Sequence, residues 1–132
     1  MGDDGVMEQG RALRFGSLGP AGEERFKELS AIDPGYARSI LEYCFGTIWS
    51  RPGLDLKVRE FIVIAAAAAQ DLPGEVEMHV RGALNRGATR EEIIETVVQC
   101  APYIGLPKTN HALQAANRVI EGWDAHPEWH SS

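Results

Sequence analysis

Nine consecutive apolar residues, Phe61-Ile-Val-Ile followed by the five alanines Ala65 to Ala69, constrain this chain more than any other segment. As a helix, such a run is apolar on nearly every face and belongs at the centre of a bundle. Its alanines favour the helix and let neighbouring backbones approach closely. Phe61 to Ile64, β-branched and aromatic, would also suit a buried strand, but the alanines that follow argue against it. No run reaches the roughly eighteen apolar residues of a membrane span. The start, Met1 to Gly10, is acidic and glycine-containing, unlike a secretory signal. A cytoplasmic protein with no membrane contact is therefore expected.

Turn signals divide the rest of the chain into helices. Pro20 precedes the acidic turn Ala21-Gly-Glu-Glu24, which leads into Phe26 and Leu29. Asp33-Pro34 opens a second helix with Tyr36, Ile40, Leu41 and Phe45 at helical spacing, ending near Gly46 or Trp49. Asp55 is a suitable N-cap for the apolar helix. Pro73-Gly74 restarts the chain into a stripe of Val76, Val80 and Leu84, and Gly87 stands where a C′ glycine belongs. Thr89 and Glu92 form a capping box for a helix holding Ile93, Ile94, Val97 and Val98. Pro107 opens a last long helix with Ala112, Leu113, Ala116, Val119 and Ile120. The fold class expected is all-α: one domain over residues 1–132, a bundle of five or six helices with its core at about 11–123. Gly, Ser and Pro in the first twenty residues and the polar end Trp129 to Ser132 predict frayed termini.

The net charge of −6 comes with scattered basic residues, so nothing neutralises a row of phosphates and no nucleic-acid partner is expected. Cys44 and Cys100 form neither a CxxC pair nor a zinc ligand set and read as small buried hydrophobes. The four histidines include no HExxH or other close ligand set, so no metal is expected.

Three polar groups could carry chemistry. Glu75 and His79 are four apart, so on a helix a carboxylate can orient an imidazole; acids are also favoured in a first turn beside a proline. Glu60 stands just before the apolar run. It is either a buried carboxylate suited to proton transfer or a solvated acid paired with Lys57 or Arg59. Tyr103, Asn110 and His111 flank the Gly105-Leu106-Pro107 break, where a helix N-terminus could receive an anion; Tyr103 is equally a core or interface aromatic, and Asn110 and His111 surface residues.

Taken in order, three blocks resemble the carboxymuconolactone decarboxylase family from about Arg11 to Trp123. They are Trp49-Ser-Arg-Pro-Gly-Leu-Asp55 with Arg59; Glu75-Val-Glu-Met-His79 onward through Gly87-Ala-Thr89 to Ile93; and Gln99, Ala101, Tyr103-Ile-Gly-Leu-Pro107, Asn110 and Ala112. The resemblance implies an alkylhydroperoxidase D-like helical fold, assembled as trimers or hexamers with sites at subunit interfaces. It implies a carboxy-lyase of the β-ketoadipate pathway that turns 4-carboxymuconolactone, or a related acid, into 3-oxoadipate enol-lactone. No cofactor is implied, because the substrate is its own electron sink. The implied roles are His79 as proton or oxyanion donor, Glu75 as its orienting group, Glu60 as a second relay group, Arg51 or Arg59 as carboxylate anchor, and Tyr103, Asn110 and Trp49 as pocket lining. A peroxidase branch shares the fold, but its two cysteines fall on Leu72 and Glu75 here, so its nucleophile is missing. Glu60 and Lys108-Thr109 depart from the usual decarboxylase pattern, which leaves the substrate open. Other readings are a different small-molecule enzyme on this scaffold, such as a decarboxylase, isomerase, cyclase or peroxidase-linked reductase, or a non-enzymatic oligomeric module.

Overall fold

A computed structural model describes residues 3–132; Met1 and Gly2, the first residues of the segment expected to fray, lie outside it. The order is α1 (Asp3–Ile32), α2 (Pro34–Ser39), a π-helix (Ile40–Trp49), α3 (Leu56–Ala69), α4 (Pro73–Asn85), α5 (Arg90–Ile104) and α6 (Leu106–Gly122), then two short 3-10 turns, Trp123–Ala125 and Pro127–Trp129. The described residues contain six α-helices and no strand, as the punctuation implies. No helix among them is long and apolar enough to cross a membrane.

The boundaries follow from local chemistry. Asp33 accepts from the Tyr36 amide at 3.0 Å and Asp55 from Val58 at 2.9 Å, each satisfying an amide that the first turn leaves without a partner. Thr89 and Glu92 close a reciprocal capping box. Gly87, at φ 88, lets Ala88 N–H return to Ala83 O at 2.9 Å and Gly87 N–H to Leu84 O at 3.1 Å, closing α4 in a Schellman turn. Asp71 does the same for α3 at φ 55, with Leu72 N–H on Ala67 O.

Both ends differ from the irregular segments expected. Asp3 to Leu18 is helical, and α1 kinks at Gly19 (φ 63, ψ −162) before Pro20, whose missing N–H starts the second half. The glycines that look like breaks are close approaches instead: a Cβ on Gly16 would meet the Arg86 guanidinium at 2.7 Å. At the other end His126 stacks on Trp129 and His130 on Trp123, both at 4.0 Å. Asn85 receives Ser131 N–H and donates to Trp129 O, fixing the tail to α4.

The main core gathers Ile64, Ala67 and Ala68 of α3, Val76, Val80 and Ala83 of α4, Ile93 and Val97 of α5, and Ala112, Ala115, Ala116 and Val119 of α6. The alanine helix lies at the centre as expected on one side only, since Ile62, Ala66 and Ala69 are exposed. α1 and the π-helix lie over this four-helix body, with Leu18, Leu41, Phe45 and Trp49 as their own buried set, joined by Ala37 of α2.

Candidate active site

Between the two layers is a cavity of about 270 Å³. α1 supplies Arg14, Leu18, Arg25 and Leu29, the π-helix supplies Ile40, Cys44, Phe45 and Trp49, and α4 supplies Glu75, Met78 and His79. The i→i+5 winding of the π-helix brings residues four and five apart to one face, which is why those four side chains share a wall. Thr47 Oγ1, bonded to Glu42 O at 2.9 Å, follows the same five-residue step.

His79 is the chemical centre of this wall. Its Nδ1 lies 2.8 Å from Glu60 Oε2, whose side chain is fully buried where α3 crosses α4. A carboxylate there accepts the Nδ1 proton and fixes the tautomer, leaving Nε2 to serve the cavity. The Trp49 ring stacks on the imidazole with centroids 6.2 Å apart and Phe45 stacks on Trp49 at 5.2 Å, so the ring plane is clamped as well. Glu60 Oε1 has no hydrogen-bond partner among the described residues.

Glu75, the residue expected to orient His79, does something else. Its Oε2 is 4.0 Å from Nε2, on the opposite side of the ring from Glu60, and its Oε1 is drawn 2.6 Å from Arg25 Nη2. One helical turn brings Glu75 beside the imidazole, but the guanidinium from α1 takes the carboxylate. Arg14, buried, donates to Gly22 O at 2.7 Å and lies over the Phe26 ring. Burial lowers the Arg14 guanidinium from its ordinary value, Glu23 pulls it back up, and Arg25 nearby lowers it further. Burial also pushes the Cys44 thiol up, which keeps it protonated and a poor nucleophile.

Of the residues singled out in the sequence, the cavity unites His79, Glu75 and Trp49, with Glu60 directly behind His79. It does not include Arg51, Arg59, Tyr103 or Asn110. Arg51 lines an open groove of about 610 Å³ on the other side of Trp49, and Arg59 donates to Arg51 O at 2.6 Å and borders a small cleft with Ile48 and Ile62. Tyr103 and Asn110 are exposed. His111 is exposed too and pairs with Asp71 at 2.8 Å. The cations beside His79 are Arg14 and Arg25, which sequence reasoning missed. The one available signal was an arginine, Arg14, within the apolar stretch Leu13 to Phe15.

Residues 34–118 match the family model described as the carboxymuconolactone decarboxylase family. A 4-carboxymuconolactone decarboxylase of Acinetobacter baylyi is 33% identical over 129 residues, 97% of this chain and 96% of that one. A nitrosuccinic acid decarboxylase of Metarhizium robertsii is 38% identical over 81 residues, 61% of this chain and 57% of that one. The segment matched by the family model spans Glu60, His79 and the cavity residues of the π-helix, α3 and α4, and lies beyond the α1 wall that carries Arg14 and Arg25. The chain belongs to the carboxymuconolactone decarboxylase family.

Proposed function

We infer that the protein decarboxylates a small carboxylic acid whose own skeleton accepts the electron pair left by CO₂, with 4-carboxymuconolactone as the first substrate to test. The observation that carries this reading is the imidazole of His79, held from behind by buried Glu60 while its other nitrogen serves a cavity that also contains two guanidiniums. The relatives named above act, by their names, on a carboxylated lactone and a nitro acid. Those two share little beyond a carboxylate and a group able to hold negative charge.

In the lactone, the bond from the ring carbon to its carboxylate breaks and its electron pair passes through the ring double bond to the lactone carbonyl oxygen. The products of that step are CO₂ and a furan-like dienolate. His79 acts here as the imidazolium, its Nδ1–H held by Glu60. Its Nε2–H stabilises the charge on that oxygen and then gives its proton to the ring carbon next to the lactone carbonyl, which yields the enol-lactone and leaves the Nδ1–H tautomer to be reprotonated from solvent. Glu60 stabilises the imidazole throughout at Nδ1. Loss of CO₂ is favoured where the leaving carboxylate is out of water, and Leu18, Ile40, Phe45 and Val63 make the apolar part of the cavity lining. Arg14 and Arg25 replace Arg51 and Arg59 as the anchoring cations in this reading.

The test is turnover of carboxymuconolactone and of nitrosuccinate, followed by CO₂ release. His79→Ala is expected to lower kcat by about 10²- to 10⁴-fold, the usual contribution of a positioned acid or base, with its far-ultraviolet circular dichroism retained. A folded His79→Ala protein that turns over at the wild-type rate overturns the assignment.

A further inference from the structure

Arg14 is a buried cation with no carboxylate within ion-pair distance among the described residues. It is 4% exposed, its one hydrogen bond goes to a main-chain carbonyl, and it lines the cavity. Holding a guanidinium out of water without a counter-ion is unfavourable, a burden that a bound anion relieves. Arg25, on the next stretch of the same helix and close enough to perturb Arg14, does have a counter-ion, but a loosely held one. Its ion pair with Glu75 spans 2.6 Å between side chains 47% and 35% exposed, and exposed pairs of this kind contribute little. Glu75 reaches it from α4 across the cavity edge.

Resting on the reading of this cavity as the substrate site, we propose that Arg14 and Arg25 form a two-point carboxylate site, in which Glu75 is an internal counter-ion that a ligand carboxylate displaces from Arg25. Arg14 is the fixed point and takes the first carboxylate; the second competes with Glu75. A ligand with two carboxylates therefore gains over one with a single carboxylate, but by less than a free Arg25 would give. Glu75, once displaced, has only the 4.0 Å gap to His79 Nε2 to cross. Ligand binding at Arg25 is thereby linked to the second face of the imidazole, and Glu75 becomes a positioning residue rather than the orienting group behind the ring.

The test is calorimetric binding of succinate and of butyrate to the full chain, which needs no turnover. Wild-type protein is expected to bind succinate at least tenfold more tightly than butyrate. Glu75→Gln removes the competitor while keeping the side chain's size, and should tighten succinate about three- to fivefold with butyrate unchanged. Arg25→Gln should bring succinate down to the level of butyrate. Arg14→Lys, which keeps the charge but not the fork of donors, should weaken both ligands. Equal binding of the two ligands by wild type overturns the proposal, and so does a Glu75→Gln protein that binds succinate no better than wild type. Glu75 is half-exposed, so that arm stands even if Arg14 variants fold poorly. The two ideas fail separately. Tight succinate binding with the Glu75→Gln gain, but no decarboxylation of either acid, removes the decarboxylase reading alone; decarboxylation without that gain removes the two-point site alone.

Discussion

Gly82 decides whether Glu60 can stand behind His79. It lies in the middle of α4, three residues beyond the imidazole, and a Cβ there would fall 2.5 Å from Glu60 Oε1 and 2.7 Å from Oε2. Alanine in place of a mid-helix glycine normally gains about 1 kcal/mol, whereas forcing an atom into a filled space costs about 1–3 kcal/mol. Gly82→Ala should thus lose at most about 2 kcal/mol in stability. Its larger effect is on chemistry, because the atoms displaced are those that hold Nδ1. The expected result is a kcat at least tenfold lower with a melting temperature lowered by no more than roughly 6–10 °C, read by CO₂ release beside a melting curve; unchanged kcat would mean that Glu60 does not position the ring. This contact also explains what the sequence could and could not say about Glu60. Its place before an apolar run marked it as unusual, but burial against Gly82 depends on the crossing of α3 and α4, which no local spacing encodes.

Helix ends were the most legible elements because each is a local device. Asp33, Asp55, Thr89 with Glu92, and Gly87 all act within a few residues of themselves, so their roles follow from residue type and position. The π-helix was not legible: Ile40, Leu41 and Phe45 suit an ordinary helix equally well, and the close approach of α1 at Gly10 and Gly46 is not encoded in their spacing. The capping box makes a prediction at this scale. Glu92 accepts from Thr89 N–H at 2.9 Å and from Lys57 at 3.0 Å, which lower its carboxyl from the usual range, the Thr89 bond most. A carboxyl lowered in the fold binds fewer protons than in the unfolded chain. Its stabilisation is therefore full above the ordinary glutamate range and lost as the pH falls through the lower folded value. Glu92→Gln keeps an acceptor for the cap and removes the charge. Melting curves across the acid range should show wild type ahead of Glu92→Gln at neutral pH and the difference closing on acidification; a constant difference would refute the linkage. Thr89→Ala should cost about 1 kcal/mol at any pH.

At the scale of the molecule the chain consists of a four-helix body, α3 to α6, and a layer of α1 with the π-helix laid on it, and the cavity is the seam between them. The body was readable because its apolar stripes and caps repeat regularly. The layer was not, since Gly10, Gly16 and Gly46 look like punctuation in a sequence and are contacts in the fold. That also hid Arg14 and Arg25, which meet α4 only because the layer lies close. A Cβ on Gly46 would meet Val6 O at 2.6 Å and Val6 Cγ1 at 2.7 Å, and one on Gly10 would collide with Leu41 O. Backbone cannot step aside as a flexible side chain can, so Gly46→Ala must push the first half of α1 off the π-helix. The main core cluster lies wholly within α3 to α6 and their connections, so the disturbance should stay in the layer. An overpacking loss of about 2 kcal/mol corresponds to roughly 6–10 °C in melting temperature for a chain of this size. Hydrogen exchange should then quicken in α1 and the π-helix while α3 to α6 keep their protection, and turnover should fall because Phe45, Trp49 and Arg14 leave their places around His79. Gly74→Ala is the control, since a Cβ there meets nothing within 4 Å. Uniform loss of protection in Gly46→Ala would show that layer and body unfold as one unit, and the seam would then be an ordinary part of a single core.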